Sequence, residues 1–131
     1  MKAAIYARSA TVGEGEGAAS QVETLRVFCQ EQGFDLVAMF VDDGVSSTVP
    51  FGSRPGGVGL LEAARNSEFG AVLVQSLDRF SRDPAALSEA LDDLREAGVA
   101  IRSITQPWTQ TPETCRVMGR ILALMALPDV G

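Results

Sequence analysis

An alternation constrains this chain more than any other feature. Short apolar runs at Lys2 to Ala7, Asp35 to Val41, Gly70 to Val74 and Val99 to Ile104 are separated by stretches with helical spacing. A continuous run such as Ala71, Val72, Leu73, Val74 suits a parallel strand covered on both faces. Between the runs, Val22, Leu25, Phe28 and Cys29 mark one face of a helix over Ser20 to Gln32, which Gly33 closes. Leu60, Leu61 and Ala64 suggest a short second helix, and Leu87, Leu91 and Leu94 a third that stops at Gly98. A last helix is expected from about Thr114 to Leu127, where Pro128 ends it. The pattern predicts an α/β fold: one domain spanning residues 1–131, with a largely parallel sheet of four to five strands, flanking helices and flavodoxin-like layering.

The third strand leads into Leu77, Asp78, Arg79, Phe80, Ser81, Arg82, Asp83, Pro84. Asp83 can cap the following helix, and Pro84 suits its first turn, where a missing amide costs nothing. Arg79 and Arg82 are thereby placed on a short exposed loop at a strand's carboxyl end, where α/β sheets bind ligands. A second suspect segment is Asp42 to Gly59, rich in Gly, Ser and Pro and too long for a plain connector.

Composition removes several alternatives. With no histidine in 131 residues, a Ser/His/Asp triad, a histidine-based zinc hydrolase site and a His phosphorelay are excluded. Lys2 is the only lysine among the 11 cationic residues, so a P-loop lysine is excluded too and the remaining cations are arginines. Arginine grips phosphate oxygens in pairs through a planar fork whose charge does not titrate away. A formal net charge of −6 argues against diffuse nucleic-acid affinity, so any phosphate site must be local. Cys29 and Cys115 sit far apart in helical patterns, as expected of buried thiols rather than a disulfide or metal site. No apolar stretch reaches membrane-spanning length and Arg8 interrupts the first run, which points to a cytoplasmic protein with no membrane association. Gly13, Gly15 and Ala18 formally satisfy a dinucleotide fingerprint, but they lie well past the strand end and Glu14 and Glu16 would stand beside the phosphates.

Four separated segments carry a more specific signal. Tyr6, Ala7, Arg8 end the first strand, Gln21 opens the first helix, Asp43, Gly44, Val45, Ser46 precede Arg54, Pro55, Gly56, and Asp78, Arg79, Phe80, Ser81, Arg82 follow the third strand. In this order and spacing the set resembles the serine recombinase family of resolvases, invertases and large serine integrases, in its N-terminal catalytic domain. The resemblance implies DNA strand cleavage and exchange through a phosphoseryl intermediate, without metal or other cofactor, with arginines stabilising a phosphorane-like transition state. It further implies that Arg8, Arg54, Arg79 and Arg82 surround the scissile phosphate and that Gln21 helps position them. Asp43 and Asp78 would orient arginines or assist proton movement, with Asp42 able to replace Asp43 by a one-residue shift. Tyr6, Ser9 and Ser46 would lie on the substrate side.

One position departs from the family pattern. The nucleophilic serine stands two residues after the first-motif arginine, and here that residue is Ala10, whose methyl cannot attack phosphorus. Ser9 and Thr11 have the opposite strand parity to Arg8. The chain as written is therefore expected not to cleave DNA, whether Ala10 is an engineered replacement or a natural loss. No helix-turn-helix or zinc module follows, so no DNA-binding domain is expected here and DNA binding by the isolated chain should be weak. Val117, Ile121, Leu124 and Met125 form an apolar stripe suited to a homo-oligomer or to pairing with a full-length recombinase. Two other readings use the same residues: a non-catalytic module that modulates an intact recombinase, and a flavodoxin-like domain that binds a phosphate or nucleotide.

Overall fold

The computed structural model describes residues 1–10 and 17–106. The described chain alternates as the pattern requires: β1 (Lys2–Ser9), α1 (Ala18–Glu31), β2 (Asp35–Asp43), α2 (Pro55–Arg65), β3 (Ala71–Val74), α3 (Pro84–Glu96) and β4 (Ala100–Ser103). Short 3-10 turns at Phe51–Ser53 and Leu77–Arg79 precede α2 and follow β3. All strand pairs are parallel, in the order β2-β1-β3-β4. The sheet is thus the α/β sheet expected, with four strands among the described residues. The expected C-terminal helix, Cys115 and the Gly13 and Gly15 motif lie outside those residues.

Strand periodicity divides the core into two layers. Ala3 and Ile5 of β1 pack with Ala71 and Leu73 against Leu25 and Cys29 of α1. Ala4 and Tyr6, with Val72 and Val74, face the opposite layer, where α2 supplies Leu60 and Leu61 and α3 supplies Leu91 and Leu94. Strand β1 lies between β2 and β3, and its residues Ala3 to Ala7 are completely buried. Side-chain alternation forces this two-sided burial on a central parallel strand. On β2 the register slips between the pairs Ala3–Leu36 and Ala4–Ala38, leaving Val37 as the extra residue of a bulge. Cys29 is buried in α1, where burial pushes its thiol up from the ordinary value.

Sequence patterning places several element ends differently from the structure. β1 and β2 continue to Ser9 and Asp43 rather than stopping at Ala7 and Val41, because their polar ends pair with each other, Arg8 with Asp42 and Ser9 with Asp43. Helix α2 begins at Pro55, ahead of the apolar residues that announce it. Three glycines in its first turns have poor helix propensity and hide it from a pattern search. At Gly56 and Gly57 the absence of a side chain is nevertheless required by packing. A Cβ on Gly57 would lie 1.9 Å from the Phe51 carbonyl oxygen, and one on Gly56 would lie 2.7 Å from Asp42 Oδ2.

These contacts predict opposite signs for two similar substitutions within one helix. Gly59→Ala meets only the Phe40 ring at 3.5 Å and should be neutral or raise stability by up to ~1 kcal/mol through helix propensity. Gly57→Ala should lower it by about 1–3 kcal/mol, because a backbone carbonyl must move. Urea denaturation of the two variants checks the contrast.

Candidate functional site: an arginine crevice at the sheet's switch point

In the order β2-β1-β3-β4 the direction of winding reverses between β1 and β3, and open α/β sheets bind ligands outside the carboxyl ends of the strands at that point. Arg8 ends β1, and the turn Leu77–Arg79 follows β3, so the two arginine motifs meet in that crevice. The β1–β3 ladder stops at the pair Tyr6–Val74, whereas β1 runs on to Ser9. Beyond that pair, one edge of β1 has no strand beside it. Gln21 of α1 fills the gap: its side-chain Oε1 accepts from the Arg8 amide at 3.2 Å and its Nε2 donates to the Arg8 carbonyl at 2.8 Å. A primary amide carries the same donor and acceptor as a peptide group, so it stands in for the missing strand. Gln21 shares the row of Leu25 and Cys29 and is itself buried. A polar residue on an apolar row is the sequence signal for this role.

The arginine side chains divide by burial. Arg8 is 2% exposed, and its Nε donates to the Arg79 carbonyl at 3.1 Å while Nη1 donates to the Val45 carbonyl at 2.9 Å. Burial, followed by the charges of Arg54, Arg79 and Arg82, lowers the Arg8 pKa from its ordinary value. Those Coulombic contributions place all four guanidiniums within one electrostatic neighbourhood. Arg79 is half-buried, and its Nε is enclosed without a hydrogen-bond partner. The nearest carboxylate to it is Asp78, 3.8 Å away, which also accepts a hydrogen bond from the Ser76 hydroxyl. Arg82 is exposed. Ala10 is exposed at the end of β1.

Three candidate positions come out differently from the sequence expectation. Arg54 is 0% exposed and lies behind the crevice, not on its wall. Its guanidinium bonds the Val49 carbonyl (2.9 Å), the Tyr6 hydroxyl (3.0 Å) and the carbonyls of Arg79 (2.6 Å), Phe80 (2.5 Å) and Ser47 (3.4 Å). Tyr6 is also 0% exposed and lies inside the domain, away from the surface. Its hydroxyl donates to Asp42 Oδ2 at 2.8 Å, and its ring stacks on Phe80 with centroids 5.5 Å apart and meets the Phe51 ring edge-on. Asp42, not Asp43, belongs to this cluster: it is 2% exposed and its Oδ1 accepts from the Gly56 amide at 2.7 Å, while Asp43 is exposed. Strand alternation explains the exchange, since Leu36 precedes the Val37 bulge and Ala38, Phe40 and Asp42 then share the inner face.

The remaining candidates lie at the rim. Ser46 is exposed and bonds Thr48 through hydroxyl and amide. Ser9 is buried, with its carbonyl accepting from the amides of Gly44 and Val45, and strand alternation points its side chain to the face opposite Arg8. Ser81 Oγ accepts from the Asp83 amide, and Asp83 caps α3 through the Ala86 amide at 3.0 Å, as its sequence position predicts. One participant has no sequence signal. The side-chain oxygen of Gln106 accepts from the Leu77 amide, the Ser103 hydroxyl and the Thr105 hydroxyl, tying the end of β4 to the start of the arginine turn.

The structure is thus a parallel α/β sheet with arginines gathered at its switch point. The Resolvase, N terminal domain family matches residues 3–127, and the chain belongs to that family. Its fold is that of the N-terminal catalytic domain of TP901-1 integrase, with 25% identity and a TM-score of 0.84 over 95% of this chain and 93% of that one. A resolvase family site-specific recombinase from Streptococcus pneumoniae shares the fold at 20% identity (TM-score 0.76, 96% and 85% covered). So does the C-terminal catalytic domain of ISC1926 TnpA, an IS607-like serine recombinase, at 18% identity (TM-score 0.71, 95% and 80% covered). No curated protein matches the chain.

Tyr6 is the chain's single tyrosine, so its ionisation can be read without interference. Burial raises its pKa above the ordinary 10.0; Arg54 opposes the shift and Asp42 adds to it. The native state therefore keeps the proton when the unfolded chain has lost it, so the contribution of Tyr6 to stability is constant below about pH 10 and is lost above it. Tyr6→Phe should remove that part of the alkaline fall and cost about 1–3 kcal/mol at neutral pH by stripping Asp42 and Arg54 of a partner. Denaturation midpoints across the alkaline range, with phenolate absorbance recorded in parallel, check both effects.

Proposed function

We propose that this domain is the catalytic part of a serine site-specific DNA recombinase, with a crevice that receives a DNA phosphodiester. The observation that supports this most is the cluster of guanidiniums at the switch point, where Asp78 is the carboxylate nearest Arg79 and Arg79 Nε lacks an acceptor. Cations that are crowded and incompletely neutralised favour an anion among them, most of all one whose charge grows in a transition state. Arg8, Arg79 and Arg82 are the side chains disposed to meet it. Gln21 holds the Arg8 backbone in place, and Asp78 orients Arg79 or takes part in proton movement.

In the family's reaction a serine Oγ–P bond forms and a P–O bond to deoxyribose breaks. The serine gives up its proton and the departing sugar oxygen acquires one. Here the residue at the attacking position is Ala10, so the cycle stops before the first bond forms. DNA is the partner, bound weakly by this domain alone, in the cytoplasm, and oligomerisation runs through the C-terminal stripe. Ala10 equally favours a second reading, a non-catalytic partner of an intact recombinase, which co-purification with such an enzyme would support.

The chain and an Ala10→Ser version are to be incubated with pooled duplexes of random sequence, and protein-attached DNA recovered after denaturation. Attachment by the serine version alone is the expected result. Attachment by the unaltered chain refutes the cleavage defect, and attachment by neither counts against recombinase chemistry in this crevice. A gel-shift at low salt should show weak binding for both.

A further inference from the structure

We infer that Arg54 is a positioning residue that shapes the arginine turn from behind and is not itself a ligand of the phosphate. A guanidinium has five N–H bonds. In Arg54 each of them has an acceptor: Nε has the Val49 carbonyl, Nη1 has the Tyr6 hydroxyl and the Arg79 carbonyl, and Nη2 has the carbonyls of Ser47 and Phe80. The side chain is 0% exposed and its guanidinium carbon lies 6.0 Å from the centre of the Phe51 ring. Arg8 differs. Its Nε and Nη1 each donate once, to Arg79 and Val45, so among the described residues fewer of its N–H groups are committed to protein acceptors.

The acceptors of Arg54 come from two segments, residues 47–49 after β2 and residues 79–80 after β3. Joining them fixes the backbone from which the Arg79 side chain projects. Arg8 reinforces the joint, because its Nε donates to the same Arg79 carbonyl that Arg54 Nη1 reaches. Pulling Arg54 outward to meet a phosphate would take this donor from the carbonyls of Val49 and Phe80 and leave that of Arg79 with Arg8 Nε alone, a desolvation cost that a new anion contact would first have to offset. Lysine cannot replace it, having three donors and no planar fork.

Exclusion of Arg54 from the phosphate rests on reading the crevice as a phosphodiester site; the clamp itself does not. Both are tested on the unaltered chain by NMR of assigned guanidinium N–H groups, with dimethyl phosphate as a singly charged phosphodiester. Arg54 protons should exchange with water about a hundredfold more slowly than those of exposed Arg82, because exchange requires local opening. Exchange as fast as at Arg82 overturns the clamp. On titration, Arg79 should shift while Arg54 stays fixed. A shift at Arg54 that saturates in step with Arg79 overturns its exclusion. Absence of any shift, with Arg54 still protected, supports the clamp and overturns the phosphodiester reading.

Arg54→Lys separates positioning from simple stability. Once the turn is held in its binding geometry for only a fraction of the time, the apparent dissociation constant of Arg79 for dimethyl phosphate should weaken about tenfold in the folded variant. A lowered melting temperature with unchanged affinity would show that Arg54 only stabilises, and would overturn the positioning role. If the lysine variant does not fold, the two measurements on the unaltered chain still decide for or against the inference.

Discussion

A charge buried inside the domain holds its working edge together. Arg54 is fully enclosed, and an enclosed cation persists only where hydrogen bonds replace lost water. Its acceptors are mostly peptide carbonyls, so the requirement is transferred to the backbone: the segments after β2 and β3 must bring their oxygens to one point. Tyr6 and Asp42 extend the same requirement inward, since the phenol donates to the carboxylate while accepting from the guanidinium. Gly56 completes it by donating its amide to Asp42 and admitting that carboxylate to the space a side chain would fill.

Sheet geometry sets where this joint falls. β1 outruns β3, and at the first unpaired position Gln21 takes over the ladder. Arg8 is thereby kept in extended backbone at the strand's tip, with its side chain on the Tyr6 face. The turn after β3 offers one carbonyl, that of Arg79, to both Arg8 at the end of β1 and Arg54 in the segment after β2. Gln106 braces the same turn at its start through the Leu77 amide.

Much of this was legible from sequence because it follows from period and punctuation. Short apolar runs identify the strands, Asp83 and Pro84 mark the start of α3, and ordered motifs identify the family. Side-chain depth was not legible. Arginine is rarely buried, so nothing in the sequence sets Arg8 and Arg54 deep in the domain; only the carbonyls that accept from them reveal it. The choice between Asp42 and Asp43 depended on a bulge at Val37, which changes strand parity and has no mark in composition. Helix α2 was partly hidden for a related reason: two of the glycines that lower its propensity, Gly56 and Gly57, are demanded by its packing. Gln106 was invisible because its contacts depend on where β4 ends relative to a turn in another part of the chain.

The capping of α2 and α3 has one more consequence. In many α/β folds a helix N-terminus at the sheet's carboxyl edge offers free amides to a small phosphorylated molecule, which becomes enclosed in main chain. Here the first turn of α2 is occupied by Asp42 and that of α3 by Asp83, both carboxylates of the chain itself. Those two cradles are already filled. Apart from the first turn of α1, which has no side-chain cap, what is left to greet an anion is a fringe of side chains reaching outward. Such a fringe suits a phosphate presented from outside along an extended polymer better than a metabolite that must be swallowed whole.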